Sequence, residues 1–159
     1  MSKKLYRGNL KGLLFIVCFR IAHYVSQHKI TKICLCPIWI LYRLVFNWVL
    51  GIDISQYATI GRNFVLWHGI GTIVHPQAII GDNVTMRHNT TIGNAKNDGG
   101  APIIGNNVDI GCNVVIIGDI TIGDNVTIGA GTIITKSIPS NVVVVGNPSK
   151  VLNKNPFEK

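Results

Sequence analysis

The sequence predicts a mainly β protein folded as a parallel β-helix, and a six-residue repeat carries that prediction. An isoleucine stands at every sixth position over one long stretch: Ile104, Ile110, Ile116, Ile122, Ile128 and Ile134. Neither the helical period of 3.6 nor the strand period of two gives this spacing. A coil of three short strands does, because one side chain per strand points inward and stacks on its equivalents in neighbouring coils. Glycine follows four of these six isoleucines and suits the tight corners between strands.

The repeat continues upstream in two further runs, separated by irregular steps. The upstream anchors are Ile54, Ile60 and Leu66, followed by Val74, Ile80, Met86 and Ile92. The first interruption of the six-residue spacing follows Leu66, at residues 67–71. The second lies in residues 93–102, which are polar and glycine-rich and have the composition of a loop. Because repeats supply a scaffold and interruptions supply sites, we expect function at these two places.

The positive charge of the chain is concentrated at its N-terminus. The net charge is +8, from 15 Lys and Arg against 7 Asp and Glu. Residues 1–52 contain no acidic residue and eight basic ones: Lys3, Lys4, Arg7, Lys11, Arg20, Lys29, Lys32 and Arg43. These basic residues are mixed into apolar sequence rather than spread over a polar face, so they do not indicate nucleic-acid binding.

The N-terminal segment predicts two apolar helices of ~12–14 residues each. The second begins at Pro37, which suits a first helical turn, and ends before Gly51, which suits a C-terminal cap. The polar residues of the first form a narrow stripe at helical spacing: Arg20, His23 and Gln27. Neither helix is a convincing membrane span, which needs ~20 mostly uncharged residues. The charged residue in the first helix and the missing small-residue cleavage site also argue against a signal peptide.

Two roles for these helices remain open. They can cap the exposed edge of the first coil and pack in an oligomer. They can also act as an amphipathic anchor with basic residues facing anionic lipid. The predicted organisation is therefore residues 1–50 as helical cap or membrane-surface anchor, residues 51–152 as the repeat domain and residues 153–159 as a C-terminal tail.

The four cysteines show neither a disulfide framework nor the paired spacing of a metal site. We expect them to be small buried side chains, and the protein to be cytoplasmic, where thiols stay reduced. They are Cys18, Cys34, Cys36 and Cys112.

His68 is the candidate catalytic base, because it stands beside Gly69 within the first interruption. Asp53 lies fifteen residues upstream, at the start of the first coil. With about eighteen residues per coil, this separation predicts that the two lie near each other on adjacent coils. A carboxylate bonded to one imidazole nitrogen fixes the tautomer, leaves the other nitrogen as a base and stabilises the imidazolium.

Several motifs, occurring in order over residues 51–152, resemble the serine acetyltransferase branch of the left-handed β-helix acyltransferases. They are Gly51-Ile52-Asp53-Ile54, His68-Gly69-Ile70-Gly71, the stretch 83–93, the Gly99-Gly100 loop and the ending 145–151. The resemblance implies a left-handed helix, acetyl-CoA as donor, a homotrimer and active sites between subunits. It assigns His68 as the catalytic base and Asp53 as its carboxylate partner.

Two departures from that branch point to a different acceptor. Trp67 stands where serine acetyltransferases have an aspartate that helps to hold the amino acid, and Ala101 stands where they have a second histidine. An aromatic ring beside the base suits stacking on a sugar. The pattern is more similar to the short acetyltransferases of exopolysaccharide and capsule pathways, such as the colanic acid acetyltransferases. We therefore expect O-acetyl transfer to a sugar hydroxyl, with serine as the alternative acceptor.

The resemblance also implies a donor site. The pantetheine arm would run in a groove between two solenoids, and the nucleotide would meet cations near the C-terminal coils. The residues assigned are Gly93, Gly111, Cys112, Gly129 and Ala130 for the arm, and Lys136 and Lys150 for the nucleotide. Cys112 is not needed as a nucleophile, because direct transfer needs no covalent enzyme intermediate.

Two other classes of function are remote alternatives. His75 and His88 could be metal ligands, as in the gamma carbonic anhydrases, but no third ligand lies at suitable spacing, and we expect no metal. A non-enzymatic β-helix could bind an ordered surface through an array of threonines, although threonine is simply a good strand residue. The array is Thr59, Thr85, Thr91, Thr121 and Thr127.

Overall fold

The computed structural model describes residues 8–27 and 33–153, and these residues form a solenoid of about five coils with helices at its N-terminal end. Three sheets make the sides of the coil. The predicted class, a mainly β left-handed parallel β-helix with a helical extension, is confirmed. Five of the eight N-terminal basic residues, together with residues 154–159, lie outside the described residues: Lys3, Lys4, Arg7, Lys29 and Lys32.

Each of the first four coils contributes one strand to each sheet, and the last coil meets sheet B only through the single bridge between Ile122 and Ile138. Sheet A contains β1 (Ile52–Ile54), β4 (Thr72–Val74), β7 (Thr91–Gly93), β10 (Val115–Ile117) and β13 (Ile133–Ile134). Sheet B contains β2 (Thr59–Ile60), β5 (Ile79–Ile80), β8 (Ile103–Ile104) and β11 (Thr121–Ile122). Sheet C contains β3 (Val65–Trp67), β6 (Thr85–Arg87), β9 (Asp109–Ile110), β12 (Thr127–Ile128), β14 (Val142–Val145) and the antiparallel β15 (Lys150–Asn153). We name the corners AB, BC and CA after the sheets that they join.

The predicted anchors form the core of the solenoid. Every one of them is at most 4% exposed: Ile54, Ile60, Leu66, Val74, Ile80, Met86, Ile92, Ile104, Ile110, Ile116, Ile122, Ile128 and Ile134. They lie on top of one another because equivalent anchors of neighbouring coils are register partners in the parallel sheets.

The coils differ in length, and the extra residues of the longer coils lie outside the three sheets. Ile104 pairs with Ile122, which gives a coil of eighteen residues. Ile60 pairs with Ile80 and Ile80 with Ile104, which gives coils of twenty and twenty-four. The two extra residues fall at the first predicted interruption, and the six extra residues fall at the second. The strands before and after each insertion keep their register with the neighbouring coils. The inserted residues must therefore form a turn of their own, outside the hydrogen-bonded sheets.

Asparagines hold corner BC together. Five of them have φ between +55° and +63°, the left-handed region that Asn enters more readily than most residues. Each of the first four donates from Nδ2 to Oδ1 of the next, at 2.9 to 3.1 Å, along the series Asn63, Asn83, Asn107, Asn125 and Asn141. The ladder runs through all five coils and ties them along the edge.

Helical segments precede the solenoid. Helix α1 (Leu10–Gln27) has 18 residues and is longer than predicted. Helix α2 (Cys36–Arg43) has Pro37 in its first turn, as predicted, and continues as a π-helical segment over Leu44–Val49. Gly51 follows with φ of +62°, which confirms its predicted role in ending the helix.

Polar side chains of these helices bond to carbonyl groups of the first coil. Farther along the solenoid, the carbonyls of Ile80 and Ile92 accept hydrogen bonds from backbone N–H groups of the preceding coil. The equivalent carbonyls of Ile60 and Ile54 have no preceding coil. Arg20 donates to Ile60 at 2.5 Å, and Tyr42 donates through its hydroxyl to Ile54 at 2.8 Å.

Two more polar side chains from the N-terminal segment bond to carbonyl groups of the first coil. Asn9 donates to the Leu66 carbonyl at 2.8 Å, and His23 bonds through Nδ1 to the Gln56 carbonyl at 2.8 Å. The predicted polar stripe of α1 therefore faces the solenoid. The aromatic rings beside it are buried between the helices and the first coil: Phe15, Phe19, Tyr42 and Phe46.

The apolar side chains on the opposite face of the helices are exposed. Those of α1 recur at helical spacing: Leu10, Leu14, Val17, Ile21 and Tyr24. Trp48 and Val49 are 83% and 76% exposed. Neither described helix has the length and hydropathy that a bilayer-crossing segment needs.

The expectation that all cysteines are buried is wrong. Cys34, which precedes α2, is exposed, and the other three are half-buried. Each of the four thiols is free.

Replacing Tyr42 by Phe should lower the free energy of unfolding by about 1–3 kcal/mol, because the buried Ile54 carbonyl loses its donor. Burial of the hydroxyl and, secondarily, the nearby Asp53 carboxylate raise the pKa of Tyr42 above its usual range. The stabilisation is therefore complete below about pH 10, the usual tyrosine pKa, and is lost as the pH rises beyond it. Urea denaturation of both proteins at about pH 7 and about pH 11 measures the two effects. Equal alkaline losses in wild type and variant would contradict this assignment.

Candidate active site

The first interruption is a two-residue insertion in corner CA. Trp67 pairs with Arg87 on one side of the corner, and Ile73 pairs with Thr91 on the other. Residues 68–72 therefore occupy the same corner that three residues fill in the next coil.

Hydrogen bonds identify which two residues are added. The N–H of Asn89 donates to the Ile70 carbonyl at 2.9 Å, and one coil farther the N–H of Asn113 donates to the His88 carbonyl at 3.1 Å. Ile70 is therefore the equivalent of His88. The added pair is His68-Gly69, which stands between the end of β3 and the regular corner.

The backbone of this pair is in the left-handed region. His68 and Gly69 both have φ of +67°. A Cβ on Gly69 would lie 2.8 Å from Cδ1 of Ile52, so any other residue would have to displace that side chain and also adopt a strained backbone. Every other non-glycine residue with positive φ in the described parts of the chain is an asparagine. Apart from glycine, mainly Asn and Asp enter this region routinely, and other residues held there concentrate at functional sites. The insertion thus holds one imidazole outside the wall.

The His68 side chain is exposed and lies among aromatic rings and apolar helical residues. Its ring centroid is 6.3 Å from that of Trp67 and 6.0 Å from that of His88, with the two histidine rings edge to face at 75°. It also lines a cavity of about 740 Å³ between the helices and the first coil, together with Lys11, Leu14, Ile21, Leu41, Val45 and Ile70.

Asp53 lies on the outer face of sheet A rather than against His68. Its side chain is exposed, and Oδ1 accepts a hydrogen bond from Nδ2 of Asn47 at 2.8 Å. Asp53 lines a second cavity of about 560 Å³ that also contains Gly93. Within one chain, over residues 8–27 and 33–153, no hydrogen bond joins the Asp53 and His68 side chains. The insertion nevertheless ends beside β1, because the N–H of Gly71 donates to the Gly51 carbonyl at 2.8 Å.

The residues expected to hold the donor divide between two corners. The first group lies in corner CA, in the coils beyond His68: Gly111, Cys112, Gly129 and Ala130. Lys150 pairs with Val145 at the same end of sheet C. Gly93 and Lys136 lie toward corner AB, where sheet A ends. A Cβ on Gly111 would lie 2.6 Å from the nitrogen of Ala130, so this glycine also has a packing role.

Ala101 lies in corner AB, at the end of the second interruption. It is 9% exposed, and the loop before it is closed by bonds to the Lys96 carbonyl from Asn94 Nδ2 at 2.6 Å and from the Gly99 N–H at 2.9 Å. A single chain therefore places Trp67 beside His68 and places Ala101 at a different corner.

The sequence analysis did not anticipate an ion pair beside Trp67. Arg87, the register partner of Trp67, contacts the carboxylate of Asp109 and donates to the Ile110 carbonyl at 3.2 Å. The six-residue repeat could have predicted that Arg87 lies beside Trp67, because Arg87 follows the anchor Met86 just as Trp67 follows the anchor Leu66.

His75 and His88, considered above as metal ligands, lie at different corners, AB and CA. Among the residues that the structure describes, no three His, Cys, Asp or Glu side chains are grouped as a metal ion would require.

The solenoid and its repeat define the class of protein. The family described as bacterial transferase hexapeptide (six repeats) matches residues 101–136. The chain belongs to this hexapeptide-repeat transferase family, and it is an acetyltransferase.

The relatives narrow the class further. The chain is 39% identical over 148 residues to a protein of Escherichia coli (strain K12) named as a colanic acid biosynthesis acetyltransferase, WcaB; this match covers 90% of the chain and 91% of that protein. It resembles the apoenzyme of soybean serine acetyltransferase, with a TM-score of 0.80 and 32% identity over 91% of this chain and 58% of that one. It also resembles a serine acetyltransferase of Brucella abortus strain S19 in complex with coenzyme A. That match has a TM-score of 0.80 and 30% sequence identity, and it covers 92% of this chain and 58% of the Brucella abortus chain.

These matches confirm the resemblance that the motifs predicted. The chain spans nearly the full length of the colanic acid relative and somewhat over half of the two serine acetyltransferase chains.

Replacing His68 by Asn should leave the free energy of unfolding unchanged or raise it by up to about 1 kcal/mol, because Asn tolerates the left-handed region better. The matched control is His75→Asn, which should give no such gain because His75 does not have a positive φ. Urea denaturation measures both variants. A clear loss of stability in His68→Asn alone would show that the imidazole stabilises the fold rather than being strained by it.

Proposed function

We propose that this acetyltransferase moves an acetyl group from acetyl-CoA to a sugar hydroxyl in exopolysaccharide or capsule biosynthesis, with His68 as general base. The observation that carries the proposal is the insertion itself, which presents an imidazole in an unfavourable backbone conformation beside an aromatic ring. The name of the Escherichia coli relative supports the acceptor class, and the coenzyme A complex of the Brucella abortus neighbour supports the donor.

The proposed chemistry uses an imidazole nitrogen at an exposed turn as a base. His68 takes the proton of the acceptor hydroxyl as its oxygen attacks the thioester carbonyl carbon. The carbonyl electron pair moves to oxygen, and backbone N–H groups near the glycine-rich corner stabilise the oxyanion. When the carbonyl re-forms, the carbon–sulfur bond breaks and the imidazolium returns its proton to the departing sulfur.

A homotrimer would bring together the candidate residues that lie at corners CA and AB, which are apart within one chain. Sheet A lies between corners CA and AB, and its outer face carries Ile73, 48% exposed, and the half-buried Val115, Ile117 and Ile133. If three chains pack through this face, corner CA of one subunit meets corner AB of its neighbour. His68 and Trp67 would then face the neighbour's Ala101, Gly93 and Lys136, and the donor would lie in the groove between them.

Asp53 is the proposed partner of His68 in that assembly. Asn47 bonds to Oδ1 and leaves Oδ2 for an imidazole nitrogen. A carboxylate there would hold the tautomer that has its free nitrogen toward the acceptor.

Trp67 and Ala101 favour a sugar over serine as acceptor. An indole offers an apolar face to a pyranose ring, whereas a zwitterionic amino acid needs charged or polar partners. The Arg87–Asp109 pair beside Trp67 adds a donor and an acceptor suited to sugar hydroxyls.

Coenzyme A release from acetyl-CoA should be faster with the best of a panel of methyl hexosides than with serine. His68→Ala should lower kcat by roughly 10²–10⁴-fold, the usual contribution of a positioned base. Asp53→Asn should lower it by a smaller factor, because it orients the base rather than taking the proton. A thiol-reactive dye measures all three rates.

Appreciable turnover of serine with none of any glycoside would replace the sugar acceptor by serine. An unchanged rate in His68→Ala would remove His68 as the base whatever the acceptor is.

We further propose that the helices rest on the cytoplasmic face of an anionic membrane. The support is the exposed apolar stripe of α1, the exposed Trp48 and Val49, and an N-terminal segment with only basic charge. The cavity of about 740 Å³ that His68 lines opens among these helices, so a lipid-linked acceptor could reach the base from the bilayer.

The protein should sediment with vesicles of phosphatidylcholine and phosphatidylglycerol, and the double variant Trp48→Ser, Val49→Ser should bind about tenfold more weakly because two interfacial apolar side chains are lost. The control is Ile79→Ser, an exposed residue of sheet B that should change nothing. Point variants are preferable to truncation because α1 and α2 cap the solenoid. If the wild type stays in the supernatant, the membrane proposal fails and the apolar stripe serves oligomer packing.

A further inference from the structure

We propose that His88 is a second catalytic residue, which donates a hydrogen bond from Nε2 to the thioester carbonyl oxygen as negative charge develops there. The inference rests on the proposed transfer reaction with His68 as base. It assigns the side-chain part of the oxyanion site to a residue one coil beyond the insertion.

The position of His88 follows from the stacking of corner CA. His88 occupies the place of Ile70 in the next coil, and the N–H of Asn113 joins its carbonyl to the coil after that. Along this corner His88 therefore lies between the inserted His68 and Cys112, which is among the residues assigned to the donor arm there. A thioester that spans from the arm to the base passes the His88 ring.

The rings of the two histidines are close and oriented for separate roles. Their centroids are 6.0 Å apart and their planes meet at 75°. At this separation the edge of one ring faces the other ring, so a reacting group that contacts one imidazole lies beside the other. The structure thus holds two imidazoles around one small volume.

Burial leaves one nitrogen of His88 for a substrate. Its Nδ1 is sealed from solvent and has no hydrogen-bond partner among the described residues, while the residue as a whole is only half-buried. The nitrogen that can meet a substrate is therefore Nε2. In the tautomer that has its proton on Nε2, this nitrogen is a donor rather than a second base.

This donor has a defined part in the reaction. The hydroxyl oxygen bonds to the carbonyl carbon while His68 takes its proton, and the carbonyl oxygen becomes an oxyanion that accepts the Nε2–H of His88. His88 neither gains nor loses a proton. When the carbon–sulfur bond breaks, the carbonyl returns and the proton on His68 passes to the sulfur.

Two substitutions separate a donor from a packing ring. His88→Phe keeps a ring without a donor, and His88→Gln keeps an N–H at the position of Nε2 without a ring. We expect kcat to fall roughly 10²–10³-fold in His88→Phe, the usual effect of removing an oxyanion donor, and to stay within about tenfold of wild type in His88→Gln. The KM for acetyl-CoA should change less than about threefold in both, because the bond forms mainly in the transition state.

The assay is coenzyme A release with the most active methyl glycoside as acceptor, after circular dichroism and urea denaturation have shown that both variants are folded. The reverse order, with His88→Phe active and His88→Gln inactive, overturns the proposal in favour of ring packing. Equal losses, or no loss in either variant, overturn it as well. A wild type without transferase activity, or an active His68→Ala, instead overturns the proposed function on which this inference rests.

Discussion

The pairing of backbone groups between successive coils is the constraint on which this structure depends. Each short strand has only two to four residues, so a coil is stable only when its N–H and carbonyl groups meet those of its neighbours. The isoleucine stack fills the interior, and the ladder sets the coil at eighteen residues. Any residue beyond that number is expelled at a corner. The candidate site is a direct result, because His68-Gly69 is a surplus pair that the ladder cannot absorb.

The same requirement explains the N-terminal helices. A first coil exposes carbonyls that point toward a coil that does not exist, and in this protein Arg20, Tyr42, Asn9 and His23 supply the missing donors. The polar stripe of α1 therefore faces inward beside buried rings such as Phe15 and Phe19, and a second stripe of apolar residues faces outward, where an ordinary surface helix carries polar residues. One segment thereby closes the solenoid and presents an apolar surface beside His68.

The period of six predicted the wall, the core and both interruptions, because packing and pairing leave few alternatives for such a repeat. The asparagine ladder was not predicted, although an Asn three residues after each sheet B anchor, as at Ile60 and Asn63, was a visible signal of a left-handed corner. The inward direction of Arg20 and His23 could not be predicted from helical spacing, because their partners are backbone carbonyls that carry no sequence signature. The outward direction of Asp53 was readable, since Ile52 and Ile54 on either side point inward.

The row of side-chain donors on the first coil has a consequence for the size of the assembly. Parallel solenoids with two bare ends can join head to tail, each adding its coils to the last, and would grow into filaments. Here the guanidinium, phenol, amide and imidazole groups occupy the bonds through which another copy would attach. They leave the sides of the solenoid for association, which is where the proposed trimer would form.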